Sequence, residues 1–98
     1  LTALTDHAPD FAEGWNARAT LLFRMGAYGP SIADIQRVLA LEPRHFAALT
    51  GLGIMLEEMG EMDRALDAYR AAHAIHPHRP DIEEAIGRIE RELEGRTL

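Results

Sequence analysis

The sequence predicts an all-α protein in which pairs of antiparallel helices are stacked along the chain as a solenoid. Proline recurs at positions 9, 43 and 77, a constant period of 34 residues. The residues before the last two prolines repeat with the same spacing, as in Leu22/Leu56, Met25/Met59, Gly26/Gly60 and Ala40/Ala74. Apolar residues within each period also follow helical spacing. A period of this length is typical of helix–turn–helix repeats, whose stacked surfaces serve binding.

Residues 12–45 are predicted to form the first helix pair. Apolar side chains of its first helix recur three or four positions apart, at Trp15, Ala19, Leu22 and Met25. We expect Gly26 to end this helix in the left-handed conformation and Pro30 to lie in the first turn of the next. The second helix has one apolar face, made of Ile32, Ile35, Val38, Leu39 and Leu41. Pro43 is expected to stop it.

Residues 46–79 repeat this organisation. The first helix carries Leu49, Leu52, Gly53 and Leu56, and Gly60 is expected to end it. Asp63 is the predicted N-cap of the second helix. That helix carries Leu66, Tyr69, Ala72 and Ile75 on one face.

The two ends of the chain depart from the full pattern. Residues 80–98 carry a narrow apolar stripe on an otherwise charged segment, formed by Ile82, Ile86, Ile89 and Leu93. We therefore predict a polar capping helix over residues 80–94, ended by Gly95, as a repeat array requires. Projecting the period backwards aligns Leu1 and Leu4 with Ile35 and Val38. Residues 1–11 are thus expected to be the second-helix tail of a preceding, truncated repeat.

The matched positions define a known signature. The second unit reads Leu49-x2-Leu52-Gly53-x2-Leu56, Ala65-x3-Tyr69 and Pro77, and the first reads Trp15-x2-Arg18-Ala19-x2-Leu22, Ser31-x3-Ile35 and Pro43. The chain therefore resembles the tetratricopeptide repeat (TPR) family, and most closely the small bacterial members. This resemblance implies a right-handed α–α superhelix with two complete units, residues 12–45 and 46–79. Arg18 departs from the signature, which has leucine at this position. Its guanidinium is expected to reach water or Asp34. The residue is interpreted as a tolerated edge substitution, with a functional arginine as the alternative.

The small residues at the signature positions have a packing role. Ala19 and Gly53 in the first helices, with Ser31 and Ala65 in the second, let paired backbones approach closely. Gly53→Leu is expected to overpack this contact and to lower the free energy of unfolding by about 1–3 kcal/mol or more.

Composition excludes several classes of function. The net charge of −6 argues against nucleic-acid binding, and the absence of cysteine excludes disulfides and thiolate chemistry. No apolar run reaches the roughly 18 residues that cross a bilayer, so membrane insertion is not expected. Most of the acidic excess lies beyond residue 56. Its favoured interpretation is a solvated helical surface, with a site for a basic partner as the alternative. Localisation stays open between cytoplasm and periplasm.

Catalytic and metal motifs are weak. His73, His76 and His78 could offer imidazoles to a metal, but Pro77 intervenes and no fixed carboxylate completes the set, so structural or surface roles are favoured. Glu57 and Glu58 are adjacent and point in different directions on a helix, which suits a paired acid and base poorly. We expect no enzymatic activity, no cofactor and no metal.

The resemblance implies that the first helix of each unit lines a concave, partner-binding face. The candidate binding residues are Glu13, Asn16, Thr20, Phe23 and Arg24 from the first unit, Ala47, Thr50, Ile54 and Glu57 from the second, and Glu84 and Arg88 from the cap. Phe23 and Ile54 are apolar at positions expected to face solvent. Chaperone-binding relatives grip a C-terminal carboxylate with Lys, Asn and Arg. The matching positions here hold Asn16, Thr20, Thr50 and Ile54, so a chaperone tail is not the expected ligand.

Two functions follow from the sequence. The leading hypothesis is a non-catalytic protein–protein interaction module that binds an extended or helical peptide segment in a concave groove. The alternative is a structural module that packs on itself, as a homo-oligomer through the exposed N-terminal helix, or on a missing N-terminal part of its parent protein.

Overall fold

The computed structural model describes residues 12–97, and the regular structure in that range is entirely α-helical. The helices are α1 (Ala12–Arg24), α2 (Tyr28–Leu41), α3 (Phe46–Glu58), α4 (Met62–Ile75) and α5 (Pro80–Thr97). This confirms the predicted fold class and the order of the helices. The helix expected in residues 1–11, and the oligomer contact expected through it, lie outside the described residues. The chain divides within α3 into two compact units, unit 1 up to Ala48 and unit 2 from Leu49.

A glycine terminates the first helix of each pair, two residues after its last helical residue, as the sequence predicts. Gly26 has φ of 78° and Gly60 has φ of 81°, which is the left-handed region. After α1, the Gly26 N–H donates to the Phe23 carbonyl at 2.9 Å and the Ala27 N–H to the Leu22 carbonyl at 2.8 Å. This pair of bonds is the Schellman motif, and the bonds of Gly60 and Glu61 repeat it after α3.

The second helix of each pair ends just before a proline. The Glu42 N–H donates to the Val38 carbonyl at 2.7 Å, and the His76 N–H donates to the Ala72 carbonyl at 3.1 Å. Pro43 and Pro77 then follow, and the residue before proline is disfavoured in the helical conformation. The same stop therefore recurs 34 residues apart.

Two predicted helix boundaries are wrong. Asp63 is not the N-cap of α4, because Glu61 occupies that position without a side-chain capping bond and Asp63 lies in the first turn. Its carboxylate there still interacts favourably with the positive, N-terminal end of the helix dipole. Gly95 does not end the last helix, which continues to Thr97. Glycine in a helical conformation lowers helix stability without breaking the helix. None of the helices in residues 12–97 combines the length and apolar character needed to cross a bilayer.

Unit 1 is held by close packing of α1 on α2. Trp15, Ala19, Ile35 and Val38 form its buried apolar residues at this contact. The hydroxyl of fully buried Ser31 donates to the Ala19 carbonyl at 2.6 Å, so the small side chain both permits the approach and satisfies its own polar group. The predicted role of this small pair is confirmed.

Unit 2 is held by packing of α4 on α3 and of α5 on α4. Gly53 on α3 lies against the ring of Tyr69, so close that an added Cβ would be 2.9 Å from its Cε1 atom. Helix α5 contributes the buried residues Ile82, Ala85 and Ile89, which share one face at helical spacing. Its other face is charged, as predicted for a cap.

Candidate functional site

A pocket of about 280 Å³ lies in unit 2, and we call it the unit 2 pocket. Its buried part is apolar and is formed by Tyr69, Ile82 and Ala85. Ile54 of α3 is also part of the lining, and 38% of its surface is exposed. The polar lining residues are Thr50, Asp81, Glu84 and Arg88. Three helices thus meet at an apolar depression with a polar edge.

A hydrogen-bonded ion pair links α3 to α5 beside this pocket. The Nε and Nη2 atoms of Arg88 donate to the two carboxylate oxygens of Glu57, each at 2.8 Å. The Tyr69 hydroxyl also donates to Glu57 Oε1, at 3.2 Å. The side-chain bond from Arg88 holds the pKa of Glu57 below its ordinary value, so this carboxylate stays charged. Glu57 therefore ties together all three helices of unit 2.

Tyr69 is fixed in its neutral form. Burial raises the pKa of its phenol, and the negative charge of Glu57 raises it further. Both causes oppose ionisation, because a phenolate would be desolvated next to a carboxylate. The phenol therefore stays protonated at neutral pH. Tyr69 donates a hydrogen bond through its hydroxyl and contributes apolar surface to the pocket lining.

Acidic side chains at the start of α5 line the same pocket. Asp81 accepts two hydrogen bonds from Arg79, at 3.1 and 2.8 Å, and one from the backbone N–H of Ile82 at 3.0 Å. The bond from Arg79 lowers the pKa of Asp81. Glu84 lies one turn before Arg88, and the pKa of Arg88 is raised, first by the bond to Glu57 and in smaller part by Glu84.

Five of the predicted binding residues come together in unit 2. Thr50, Ile54, Glu84 and Arg88 line the pocket, and Glu57 is bonded to Arg88 beside it. The sequence analysis did not assign Tyr69, Asp81, Ile82 or Ala85 to a site. Tyr69 was expected only in the core. Ile82 was expected only in the apolar stripe of the cap. Asp81 and Ala85 share the helical spacing of Glu84 and Arg88, which places the four on one face, and this spacing is the signal that could have identified them.

The predicted residues of unit 1 lie along α1 and have separate local contacts. Glu13 binds His45, and the Thr20 hydroxyl donates to the Asn16 carbonyl at 3.0 Å. Arg24 is exposed at the end of α1, and Ala47 is exposed in the first turn of α3. Phe23 is not fully exposed as expected: it is half-buried and stacks on Tyr28, with ring centroids 5.5 Å apart. Its apolar surface is thus already partly covered by its own unit.

Within residues 12–97, Glu13, Glu42 and His45 bring possible metal-ligand atoms within 4.8 Å of one another. The backbone N–H of Ala48 donates to His45 Nδ1 at 3.1 Å, and His45 Nε2 lies 2.6 Å from Glu13 Oε1. Because Nδ1 accepts, a neutral ring carries its proton on Nε2 and gives it to Glu13. A ligating histidine normally has the opposite arrangement, donating from its other nitrogen. His45 therefore serves as a side-chain cap for α3. His73, His76 and His78 do not join such a group within these residues.

A buried carboxylate in unit 1 explains the departure at Arg18. Arg18 Nε lies 3.2 Å from Asp34, which confirms the expected contact, and Arg37 reaches the same carboxylate at 3.7 Å. The two guanidinium groups lie 5.9 and 4.5 Å from the centroid of the Trp15 ring. The positions 34 residues later hold Leu49, Leu52, Ala68 and Ala71. The first repeat thus has an ionic cluster at positions where the second has aliphatic side chains.

Comparison with known proteins identifies the family. A TPR repeat-containing protein of Rhizobium etli is 41% identical to this chain over 87 residues, which cover 89% of the chain. The chain belongs to the tetratricopeptide repeat family. It spans 43% of the length of that TPR relative. No family model matches the chain.

The fold agrees with a solved TPR structure. The first TPR of Spaghetti (RPAP3), bound to the HSP90 peptide SRMEEVD, superimposes with a TM-score of 0.89. The match covers 95% of this chain and 74% of the other, at 18% identity. At this identity the likeness establishes the TPR fold, in agreement with the helix pairs described above.

Proposed function

We propose that this TPR chain is a non-catalytic protein–protein interaction module that binds an extended or helical peptide segment along the first helices of its repeats. The unit 2 pocket is the observation that supports this proposal. It combines Thr50 and Ile54 of a first helix with Glu84 and Arg88 of the cap around an apolar base. Its volume of about 280 Å³ is at the lower limit of small-molecule sites, roughly 300–1,000 Å³. One or two side chains of a partner fit it better than a cofactor.

The titratable groups of the pocket support a binding role over a catalytic one. A general acid or base works best when its pKa lies near the working pH. The pKa of Glu57 is instead lowered by Arg88, and that of Tyr69 is raised by burial. Both groups are therefore held in one protonation state at neutral pH: Glu57 carries a fixed negative charge, and Tyr69 is a neutral hydrogen-bond donor.

The choice of a peptide as ligand agrees with the HSP90 peptide bound by the similar structure. The proposed ligand nevertheless differs from that acidic sequence. The positions that match the carboxylate clamp of chaperone-binding TPR proteins hold Asn16, Thr20, Thr50 and Ile54, which include no cation. A peptide would instead gain from covering the exposed apolar surface of Ile54, at about 25 cal/mol per Å².

Site-specific photo-cross-linking tests this function. A benzophenone amino acid would replace Ile54 or, as the matched control, Met59, which is exposed in the turn directly after α3 and lies outside the pocket lining. The chain would be expressed in its native host and irradiated. We expect protein adducts from position 54 and few from position 59. Equal adduct patterns from both positions would contradict a partner seated at the pocket.

Self-association is a second candidate function, and exposed apolar residues of unit 1 favour it. Leu21 in the last turn of α1 and Met25 directly after this helix are 46% and 70% exposed. Residues 12–48 carry four arginines and three carboxylates, so two copies could meet there without strong repulsion. Sedimentation equilibrium of the wild type and of Leu21→Glu/Met25→Glu tests it. A concentration-dependent dimer lost in the variant supports self-association, and a monomer at all concentrations refutes it.

A further inference from the structure

The charge around the unit 2 pocket is predominantly negative. Its lining holds two carboxylates, Asp81 and Glu84, and one cation, Arg88. The Glu57 carboxylate lies beside Arg88 and the Arg79 guanidinium beside Asp81, so three carboxylates face two cations. Residues 49–98 together hold eleven carboxylates and six arginines, a net charge of −5. Summed charge of one sign around a concave surface concentrates partners of the opposite sign. The field at this pocket therefore disfavours an acidic ligand.

The one cation of the lining is already engaged by the protein. Arg88 uses both Nε and Nη2 in its paired bonds to Glu57, and this fork is the group that would otherwise grip a partner carboxylate. Asp81 is likewise satisfied by Arg79 and by the α5 backbone. A carboxylate ligand would have to displace Glu57 from Arg88, and the Glu57 carboxylate would then lie close to the ligand without these two bonds. A cationic ligand can approach the exposed carboxylate of Glu84 with these bonds intact.

The apolar part of the pocket requires an apolar group on the same ligand. Tyr69, Ile82 and Ala85 are almost fully buried at its base, and Ile54 presents exposed aliphatic surface beside them. A short aliphatic side chain covers this surface, whereas a lone charged side chain would be desolvated against it. The ligand must therefore combine both properties within one or two residues.

We infer that the unit 2 pocket binds an aliphatic side chain of a basic peptide segment, with a neighbouring lysine or arginine placed against Glu84. This inference rests on the proposed function and adds the chemistry of the partner. The aliphatic contact supplies most of the affinity, and the charges supply selectivity and salt dependence. The sequence allows two interpretations of the acidic surface beyond residue 56, a solvated helical surface or a site for a basic partner. This inference selects the second.

Selection from a random ten-residue peptide library displayed on phage tests the inference with the 98-residue chain as bait. Enriched peptides are expected to place Leu, Ile, Val or Met next to Lys or Arg. The best peptide is then synthesised with a fluorophore, and its affinity is measured by anisotropy. Affinity should fall several-fold between about 50 and 300 mM salt, because exposed charge pairs are screened over this range.

Two pairs of matched variants separate the contributions. Glu84→Gln should weaken the peptide about two- to fivefold, as expected for one exposed ion pair, while Glu83→Gln, its neighbour outside the pocket lining, should change affinity less than about 1.5-fold. Ile54→Ser should weaken it at least about tenfold, and Met59→Ser should have little effect. Ile54→Thr provides a milder variant if serine lowers stability. Circular dichroism checks that each variant is folded.

The outcomes distinguish the inference from the function on which it rests. Acidic or uncharged peptides that depend on Ile54 would overturn the basic chemistry and leave peptide binding at the pocket intact. An equal effect of Glu83→Gln and Glu84→Gln would also overturn it, because only the general charge of the unit would then matter. Peptides insensitive to Ile54→Ser, or no enrichment at all, would overturn both proposals.

Discussion

The contact between Gly53 and Tyr69 allows a sharp test of how this fold is held together. Replacing an interior helix glycine with alanine normally stabilises a helix by about 0.5–1 kcal/mol. At Gly53 the added Cβ would lie 2.9 Å from Tyr69 Cε1 and 3.0 Å from Cδ1 and Cζ. The ring is 3% exposed and its hydroxyl is bonded to Glu57, so it cannot move aside freely. Gly53→Ala should therefore destabilise the chain.

The expected size of this effect follows from two opposing contributions. Overpacking a core contact raises the free energy of the fold by about 1–3 kcal/mol, and the gain in helix propensity offsets part of it. We expect the free energy of unfolding to fall by about 1–2 kcal/mol. For a chain of this size, each kcal/mol corresponds to about 4–8 °C in the melting temperature.

Urea unfolding followed by far-UV circular dichroism measures this change, with Gly29→Ala as the control. Gly29 lies in the first turn of α2 and has no atom within 4 Å of an added Cβ, so its replacement should be neutral or slightly stabilising. Combining Gly53→Ala with Tyr69→Leu should remove the penalty, giving a coupling energy of about 1–2 kcal/mol. The reasoning fails if Gly53→Ala stabilises the chain as much as Gly29→Ala, or if the double variant shows no coupling.

Three further predictions concern other named contacts. His45→Ala should lower the free energy of unfolding by about 1 kcal/mol through loss of the α3 cap, and His45→Asn should retain most of it; urea titrations of both variants check this. Because the pKa of Glu57 is lowered in the folded state, its contribution is present above about pH 4.5 and is lost as the pH falls. Glu57→Gln should therefore flatten the decline in stability between about pH 5 and 3, measured by thermal melts. Asp34→Ala alone should destabilise by about 1–3 kcal/mol because Arg18 and Arg37 lose their shared carboxylate, whereas Arg18→Leu/Asp34→Ala/Arg37→Ala, which copies the second unit, should recover that loss; a single variant as stable as the triple would contradict this.

The repeat carries most of the information from which the fold can be predicted. Gly26 and Gly60 adopt a left-handed backbone conformation that favours glycine. Pro43 and Pro77 end a helix because the residue before a proline is disfavoured in the helical conformation. These constraints are local, so the period reveals them directly. The predictions for Asp63 and Gly95 are wrong because helix ends also depend on competing local bonds and on packing of the helix, which a propensity does not contain.

The site is predictable in part, for a different reason. Thr50, Ile54, Glu84 and Arg88 follow from repeat position, since the family places such residues on one face. The contribution of Asp81 and the engagement of Arg88 by Glu57 depend on how α5 lies against α3, which no spacing specifies. The burial of Phe23 could not be predicted for the same reason, because its ring stacks on Tyr28 across the turn between α1 and α2.

Methyl NMR of the folded chain during a titration with the selected basic peptide tests the central claim most directly. Spectra would be recorded with labelled isoleucine and alanine methyl groups. The account predicts the largest shift changes at Ile54, Ile82 and Ala85, with Ile32 and Ala40 of unit 1 almost unchanged. Shifts confined to unit 1 methyl groups, with the pocket methyl groups unaffected at saturation, would contradict a partner seated in the unit 2 pocket.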